Sequence, residues 1–485
     1  MQKFFQNIFI LFILIKHYSP SIIVIPFKTY STNEPDKFKS PSDIFTYWNK
    51  NILYSTILIG SPPQNISVIL NSQSYGSSIF SHMCDIPFSS YEKEKSTSFQ
   101  LKKYINSYST MKNASLISEE IYLYSNLNLK ELKSYKDFYL IYSQNNKEEQ
   151  GSQYEYHSNT CMNIGFTMGW MNLNERQSNL VLQLKKYLNI TETYDFTFEY
   201  LTPEEGRIII GLEPHFYQKE KYSEAQYRIS YAIEESKINQ HDFFLNLDNI
   251  FVTYENKVSG KKFNESISMV KSIKIVFDLG MIKAPTEYQR MINRFFFNDM
   301  IKEGKCIRGE TDDYYFYYCD KNKAENDIKN NFPNIYFDMK QFHKVFELTY
   351  KDLFKIKNDK IFFLIYFRTY NFGNYFEMGK IFLQKYSFTF NPETKMIGYY
   401  NFDLPTGKNN NNNIENKEKN FLQNIFVWIG IVVVIIIFGI FGFYFGKIVY
   451  DKVRKKRINE VDDDNYDYLP EKNNENNKIC DNNDE

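Results

Sequence analysis

The chain has 485 residues, and its 58 Lys and Arg balance its 58 Asp and Glu, so its formal net charge is zero. This balance excludes the basic field of a nucleic-acid-binding protein, and five Cys are too few for a small disulfide scaffold. The 40 Tyr and 44 Phe favour strands and suit a large, sheet-rich body.

The first predicted element is a signal peptide over residues 1–20. Lys3 precedes an apolar run from Phe4 to Ile15 that is interrupted only by Gln6 and Asn7. A basic start followed by an apolar run too short to cross a bilayer comfortably is typical of secretory signals. The alternative interpretation is an N-terminal anchor that is not cleaved.

Short apolar runs then follow one another through the body of the chain. A strand, a turn and a second strand are predicted from Ile52 to Leu70, around Gly60-Ser61-Pro62-Pro63. Further strand-like runs are Phe196–Leu201, Arg207–Gly211, Ile273–Phe277, Ile361–Phe367 and Phe382–Phe390. Helical spacing is found at Leu180–Leu188 and Glu287–Phe297. Many strands and few helices predict an all-β fold with a few short helices.

A transmembrane helix is predicted over residues 425–446. Phe426 to Phe445 is apolar, free of charge and long enough for a hydrocarbon core of about 30 Å. Lys447 and a further cluster of Lys and Arg up to Arg457 follow it, so the C-terminus is expected in the cytosol. Residues 406–424, with the Asn409–Asn413 run, predict a flexible stalk, and residues 447–485 a polar cytosolic tail.

These two ends predict a single-pass type I membrane protein of the secretory or endolysosomal pathway. Four N-x-S/T sequons agree with a lumenal or extracellular body, and their acceptor residues are Asn65, Asn113, Asn189 and Asn264. In the tail, Tyr466 and Leu469 fit the Tyr-x-x-apolar form that sorting adaptors bind. Cys480 would stay reduced in the cytosol, whereas Cys84 and Cys161 are free to pair in the lumen.

Between Tyr54 and Leu404 the chain resembles the pepsin-family aspartic proteases. Tyr54–Gln64 is similar to the opening strand motif of that family, and Lys95–Gln100 to its S-S-T-Y motif. Phe196–Gly211 and Met378–Tyr399 are similar to a central stretch and to the closing segment. The resemblance implies a bilobal fold with lobes over residues 45–200 and 201–405. It also implies a cleft for an extended peptide and a disulfide between Cys306 and Cys319. No cofactor is expected, and the six scattered His argue against a dedicated metal site.

Catalysis in that family needs two Asp that share a proton and hold one water, one from each lobe. Asp278-Leu279-Gly280 resembles the second of these loops, with Gly280 and Gly379 as its supporting residues. Leu279 and Met281 replace hydroxyl residues of the family, and Lys380 replaces the Asp that follows Gly379. The second loop is therefore predicted to keep its Asp within altered surroundings.

The first loop lacks its acid. Counting seven residues from Gln64 gives Asn71, and counting back from Ser77 gives Ser74 instead. Asn hydrogen-bonds water but does not transfer a proton in this pH range, so Asp278 would have no acid–base partner. Slow deamidation of Asn71 to Asp is the alternative that would restore the site.

The predicted flap is altered too. Tyr108 resembles the flap Tyr of the family, but the residues that follow it, Ser109 to Ala114, lack the glycines of a closing flap. The alternative is that Tyr108 is one strand tyrosine among many.

The sequence leaves three functions open. The first is a catalytically impaired pseudoprotease that keeps a peptide-binding cleft and is tethered to the membrane. The second is an active aspartic endopeptidase that takes an acid from outside the usual loop. The third is a structural surface protein whose cleft has closed. Motifs of metalloproteases, serine hydrolases and phosphate-binding loops are absent from the sequence.

Overall fold

The computed structural model describes residues 22–29, 40–49, 53–71, 77–81, 91–108, 111–144, 162–166, 177–232, 243–255, 262–311, 313–369, 374–405, 446–450 and 452. The chain divides into two compact units, Met1–Thr406 and Gly407–Glu485. The predicted signal peptide, the stalk and Phe426–Phe445 lie outside the described residues. Within the described ranges, no helix is long and apolar enough to cross a membrane. In the second unit, residues 446–450 and 452 are helical.

The first unit is built mainly from strands. In chain order they begin with β1 (Ile23–Thr29), β2 (Leu53–Ile59), β3 (Gln64–Asn71), β4 (Ser78–Ser81), β5 (Gln100–Tyr108), β6 (Met111–Tyr124), β7 (Leu132–Gln144), β8 (Met162–Gly165), β9 (Phe196–Tyr200), β10 (Glu205–Ile210), β11 (Tyr227–Tyr231), β12 (Phe243–Asn246) and β13 (Asn249–Glu255). They continue with β14 (Lys262–Ser266), β15 (Ser272–Ile275), β16 (Ile282–Ala284), β17 (Cys306–Glu310), β18 (Tyr314–Asp320), β19 (Asn334–Met339), β20 (Lys344–Leu348), β21 (Phe354–Lys357), β22 (Lys360–Phe363), β23 (Ile365–Arg368), β24 (Tyr375–Met378), β25 (Phe388–Asn391) and β26 (Met396–Tyr400).

The helices of this unit are short. They are α1 (Pro41–Asn49), α2 (Leu180–Leu182, continued by a π-helical turn at Gln183–Tyr187), α3 (Pro214–Tyr217), α4 (Thr286–Ile292, continued by a π-helical turn at Asn293–Phe297), α5 (Asn298–Lys302), α6 (Lys321–Asn331), α7 (Tyr350–Leu353) and α8 (Lys380–Lys385). Single 3₁₀ turns lie at Lys93–Lys95, Glu224–Gln226 and Lys340–Phe342.

The strands form three sheets. Thirteen strands lie in the order β11-β26-β25-β9-β10-β1-β2-β3-β8-β4-β7-β6-β5, and β6 also pairs with β1 and β2. Nine strands form the second sheet, in the order β12-β15-β24-β16-β23-β18-β22-β21 with β17 paired to β18. The third sheet has the order β14-β13-β19-β20. Strands from both ends of the unit thus meet in the first sheet.

Strand β1 is central to the first sheet. It pairs with β10 from Ile23 to Lys28 and with β2 at Lys28 and Thr29. Ile23, Ile25 and Phe27 alternate along it and are buried in the main core. A side chain at Gly206 of β10 would come within 2.3 Å of the Phe27 ring, so only glycine leaves room for that ring.

Most of the predicted elements are confirmed, and one is wrong. The predicted strand over Phe382–Phe390 contains helix α8 and only then strand β25. Leu383 and Tyr386 follow Phe382 by one and four residues, and all three side chains are buried. This spacing is compatible with one face of a helix as well as with a strand. Tertiary packing of that face decides for the helix. The expectation of a mainly β fold is confirmed.

Candidate functional site

Asp278 lies in a loop that crosses over a central strand. The loop runs from β15 to β16, which lie on opposite sides of β24, parallel and antiparallel to it. The Val276 N–H donates to the Met378 carbonyl at 2.9 Å and ties the start of the loop to the end of β24. Asp278 itself is partly buried.

Gly379 packs directly against the backbone of this loop. A side chain at Gly379 would come within 2.1 Å of the Leu279 carbonyl oxygen and 2.4 Å of that of Met281. The Lys380 N–H donates to the same Leu279 oxygen at 2.7 Å. The backbone after β24 therefore carries the Asp278 loop directly, and a larger residue at 379 would push the loop away.

The same topology recurs in the first sheet. There β3 and β4 lie on opposite sides of β8, parallel and antiparallel to it. Beyond this motif β4 runs parallel to β7, as β16 runs parallel to β23. The two halves of the unit thus contain equivalent loops, between β3 and β4 and between β15 and β16.

The strand registers allow the two loops to be compared position by position. Glu377 pairs with Lys274 and with Lys283, nine residues further on. Asn163 pairs with Ile69 and with Ser78, again nine residues further on. Since the spacings are equal, residue 73 stands at the sequence position that matches Asp278.

Residue 73 is Gln, whose amide side chain has no carboxyl group. Asn71, the residue predicted to replace the first Asp, is the last of β3 and pairs with Gly165, and its side chain lies outside the described residues. Its role stays a prediction. The sequence contains no Asp or Glu between Asp43 and Asp85, so neither residue 71, 73 nor 74 nor any neighbour supplies a carboxylate.

The sheet that carries Asp278 has two distinct faces. Along β15, β16, β18, β22 and β23, one set of alternating residues points into the main core. On β18, β22 and β23, the other set (Phe316, Phe362 and Tyr366) forms a second apolar cluster with the loop residues Val276, Leu279, Met281 and Leu364. We call this second set the loop-side face. It needs a cover, because exposed apolar surface is costly in water.

Helix α1 covers the loop-side face. Its first turn is capped by Ser40, whose Oγ accepts from the Asp43 N–H at 3.1 Å, and Pro41 occupies the first helical position. Ile44 and Phe45 are buried in the cluster, and Trp48 packs against it. Complete burial of a residue such as Phe45 contributes about 1.5–3 kcal/mol.

The aromatic side chains of α1 make defined contacts. The Phe45 ring stacks on Phe316 with centroids 4.3 Å apart and meets Tyr314 at 5.5 Å. The Trp48 ring contacts the Phe362 ring edge-on at 5.2 Å. Such pairs contribute about 0.5–1.5 kcal/mol beyond the area they bury. Packing therefore fixes the orientation of the helix.

The end of α1 rests on the Asp278 loop. The Gly280 N–H donates to the Asn49 carbonyl at 3.0 Å. A side chain at Gly280 would come within 1.9 Å of the Trp48 carbonyl oxygen. Glycine at 280 is therefore what lets the helix approach the loop beside Asp278.

Two lysines lie beside this contact. The Lys355 ammonium sits 4.5 Å from the centre of the Trp48 ring, and the Lys380 Nζ donates to the Thr29 Oγ1 at 3.1 Å. Burial, with a smaller contribution from the charge of Lys355, lowers the pKa of Lys380 to about 8. Lys380 thus links the end of β1 to the residues that support the loop.

A buried ion pair lies behind the loop. Lys283 of β16 contacts Glu377 of β24, and the two side chains are only 4% and 13% exposed. Burial lowers the pKa of Lys283, although the charge of Glu377 opposes that change. The pair joins two strands that flank the loop and does not point to proton transfer, since each charge is satisfied by the other.

The remaining predicted residues lie in other strands or outside the described part. Cys306 and Cys319 form the predicted disulfide between β17 and β18, so that prediction is confirmed. Tyr108 ends β5 and pairs with Met111 of β6, which places it at the tip of a hairpin. Its side chain is not among those described.

The acceptor residues of three sequons are exposed, namely Asn65, Asn189 and Asn264, while the side chain of Asn113 lies outside the described residues. So do Cys84, Cys161, Cys480 and the tail residues Tyr466 and Leu469. Within the described ranges, no group of His, Cys, Asp and Glu is arranged to hold a metal ion.

Sequence reasoning missed helix α1. The signal for it was present, because Ser40, Pro41 and Asp43 are the cap, first-turn proline and first-turn acid that typically start a helix. Its position could not be read from the sequence, since its partners lie more than 220 residues away along the chain.

Comparison with known proteins identifies the fold. No protein-family model matches the chain, and no curated protein does. Among solved structures, conglutin gamma, a basic 7S globulin from lupine seeds, matches with a TM-score of 0.53 and 12% identity over 79% of this chain and 95% of its own. Basic 7S globulin from soybean matches with a TM-score of 0.50 and 12% identity, and the match covers 80% of this chain and 98% of the globulin. Both are pepsin-like proteins, and the chain shares the pepsin-like fold.

Proposed function

We propose that this chain is a catalytically impaired pepsin-fold protein of the secretory pathway, tethered by one helix over residues 425–446. It would not hydrolyse peptides. The observation that carries the proposal is the equal spacing of the two crossover motifs, by which Gln73 takes the sequence position that matches Asp278. Hydrolysis in this fold requires an acid at both positions.

The chemistry supports this proposal whichever of the candidate residues replaces the first Asp. Asn71, Gln73 and Ser74 do not ionise near neutral or acidic pH, so none of them can act as the second acid–base group. Loss of one acid–base group costs about 10²–10⁴-fold in rate, and a couple that acts as a unit loses more. The active-endopeptidase alternative would need a carboxylate from beyond residues 44–84.

Helix α1 favours a closed site over an open one. It covers the loop-side face, and its last residues contact Gly280, two positions from Asp278. An extended peptide that reached this face would have to displace Phe45 and Trp48. We therefore favour a non-enzymatic protein whose own helix occupies part of the site over one with a vacant cleft.

Peptide cleavage tests the loss of activity. The full-length chain, its Asp278→Ala variant and a buffer blank would be incubated with a mixed peptide library from pH 3 to pH 7, and products counted by mass spectrometry. We expect the three samples to match. Cleavage by the natural chain that disappears with Asp278→Ala would establish the active-endopeptidase alternative.

Glycosylation tests the proposed topology. Expressed in a eukaryotic secretory system, the chain should shift in mobility on treatment with peptide N-glycosidase. Gln at residues 65, 113, 189 and 264 together should abolish that shift. A protease added outside sealed microsomes should remove only an epitope placed at the C-terminus. Protection of that epitope would contradict the type I orientation.

A further inference from the structure

We propose that the outer face of the third sheet binds the glycan carried by Asn264. The occupant is the first sugar rings of an N-linked glycan, and the surface that receives them is the ring pair Phe251 and Tyr336, which we call the glycan platform. This inference rests on the proposed passage through the secretory pathway, because only there would the Asn264 sequon meet the enzyme that attaches the glycan.

The third sheet has one buried face and one face toward solvent. Alternate residues along β13 and β19 are buried in the main core, namely Ile250, Val252, Ile335 and Phe337. The residues between them are only partly buried. Because successive side chains of a strand point to opposite faces, this second set forms the outer face of the sheet.

The strand registers put the sequon and the two rings on that same outer face. Asn264 pairs with Thr253, and Ser266, the third residue of the sequon, pairs with Phe251. Phe251 pairs in turn with Tyr336 on β19. Residues that pair directly across strands share a face, and diagonal neighbours such as Asn264 and Phe251 are about 7–8 Å apart. A sugar attached to Asn264 is therefore within reach of the Phe251 ring.

The glycan platform presents an aromatic surface on the side of the sequon. The Phe251 and Tyr336 rings stack with their centroids 4.9 Å apart and an angle of 12° between their planes. Since β13 lies between β14 and β19, Tyr336 covers the side of the Phe251 ring toward β19, and the other side is turned toward β14. The C–H bonds on the flat side of a sugar pack well on the electron-rich face of an aromatic ring.

Hydrogen bonds hold the Tyr336 ring in place. Its hydroxyl donates to the Glu347 Oε1 at 2.8 Å, and the Asn334 Nδ2 donates to the same oxygen at 3.0 Å. Glu347 also pairs directly with Tyr336 across β19 and β20. A ring fixed in this way loses little side-chain entropy when a ligand binds, so the platform is formed before the sugar arrives.

The Asn264 amide is oriented for attachment. Its Oδ1 accepts from the Thr253 Oγ1 at 2.8 Å, and its side chain is exposed. An N-linked glycan is attached to Nδ2, which this hydrogen bond does not use. The bond to Thr253 is therefore compatible with glycosylation and holds the attachment point on the outer face. Among the described strands β14 is an edge of the third sheet, so the glycan would also cover an edge that favours pairing with other chains.

The test compares glycan release from folded variants of the full-length chain, expressed in a eukaryotic secretory system and purified in detergent. Peptide N-glycosidase is added without denaturant, and mass spectrometry of the glycopeptides gives the release rate at each sequon. We expect release at Asn264 to be about tenfold faster from Phe251→Thr than from the natural chain. The rates at Asn65 and Asn189 should be equal in both chains, which shows that the variant is folded.

Phe263→Thr is the matched control for this comparison. Phe263 precedes Asn264 along β14, but it pairs with Tyr254 and lies on the opposite face of the sheet. Its replacement removes an aromatic ring equally close in sequence and leaves the glycan platform intact. Release at Asn264 should therefore be as slow from Phe263→Thr as from the natural chain.

Thermal unfolding gives an independent readout. Ser266→Ala destroys the sequon but keeps Asn264 and its hydrogen bond, whereas Ser266→Thr keeps the sequon. We expect the melting temperature of Ser266→Ala to lie about 2 °C below that of Ser266→Thr. In the Phe251→Thr background the same two variants should differ by less than about 0.5 °C, because the sugar has lost the ring on which it stacks.

Equal release at Asn264 from the natural chain and from Phe251→Thr would overturn the glycan platform. A glycan on Asn65 with none on Asn264 would overturn it as well, and both results leave the proposed topology intact. A chain without a glycan at any sequon would refute the secretory topology and the platform with it. The failure of this inference is therefore distinguishable from the failure of the proposed function.

Discussion

Replacing Gly280 with Ala should separate α1 from the Asp278 loop. The added methyl would lie 1.9 Å from the Trp48 carbonyl oxygen and 3.2 Å from the Asn49 carbonyl carbon. Both are backbone atoms, so no side-chain rotation relieves the overlap, and either the helix or the loop must move.

The magnitude follows from two contributions. Overpacking a tight contact typically costs about 1–3 kcal/mol. Loss of the hydrogen bond from the Gly280 N–H to the Asn49 carbonyl adds about 0.5–1.5 kcal/mol. We expect Gly280→Ala to lower the free energy of unfolding by about 2–4 kcal/mol.

Urea unfolding, followed by near-ultraviolet circular dichroism, measures this change. A double-mutant cycle with Thr46→Pro isolates its cause, because without a docked helix the methyl meets no backbone. The cost of Gly280→Ala should then fall below about 1 kcal/mol in the Thr46→Pro background. An equal cost in both backgrounds would refute the reasoning and place the strain within the loop itself.

Three further outcomes are expected. Phe45→Ala should cost about 3–5 kcal/mol in urea unfolding, since its ring is completely buried against Phe316, and a value below about 1 kcal/mol would mean that α1 is not docked. Lys380→Met should raise the melting temperature at pH 7. The folded-state pKa of Lys380, about 8, lies below the unfolded value, so the natural chain gains stability as the pH rises from 8 toward 10. The advantage of the variant should therefore shrink over that window, and a constant difference would exclude Lys380 as the source. Cys319→Ser should cost about 2–4 kcal/mol by opening a 13-residue separation, and an unchanged melting temperature on reduction of the natural chain would contradict this.

Sequence alone predicted the features that local pattern encodes. The strands around the Gly60–Pro63 turn, the helices near residues 180 and 290, and the Cys306–Cys319 pair follow from periodicity or from the family resemblance. The strand that precedes Asp278 was predicted because an apolar run ends there, whereas the strand that follows the loop was not predicted. These elements depend on residues close together in the chain.

The rest depends on partners far apart in the sequence. Lys283 and Glu377 are 94 residues apart, and nothing near either residue indicates that they form a buried pair. The matching of Gln73 to Asp278 needed the strand registers, since counting from motifs gave residues 71 and 74 instead. Likewise, the sequence indicated that Gly280 shapes its own loop, whereas its neighbour in space is the end of α1.

The place of β1 has a consequence for synthesis. Ile23 leaves the ribosome among the first residues of the body, yet its partner Ile210 follows about 190 residues later. At roughly 5–20 residues per second, β1 waits about 10–40 s for β10. During that interval an apolar strand with unsatisfied backbone groups is exposed to other nascent chains, so chaperones that act during synthesis should bind this N-terminal segment.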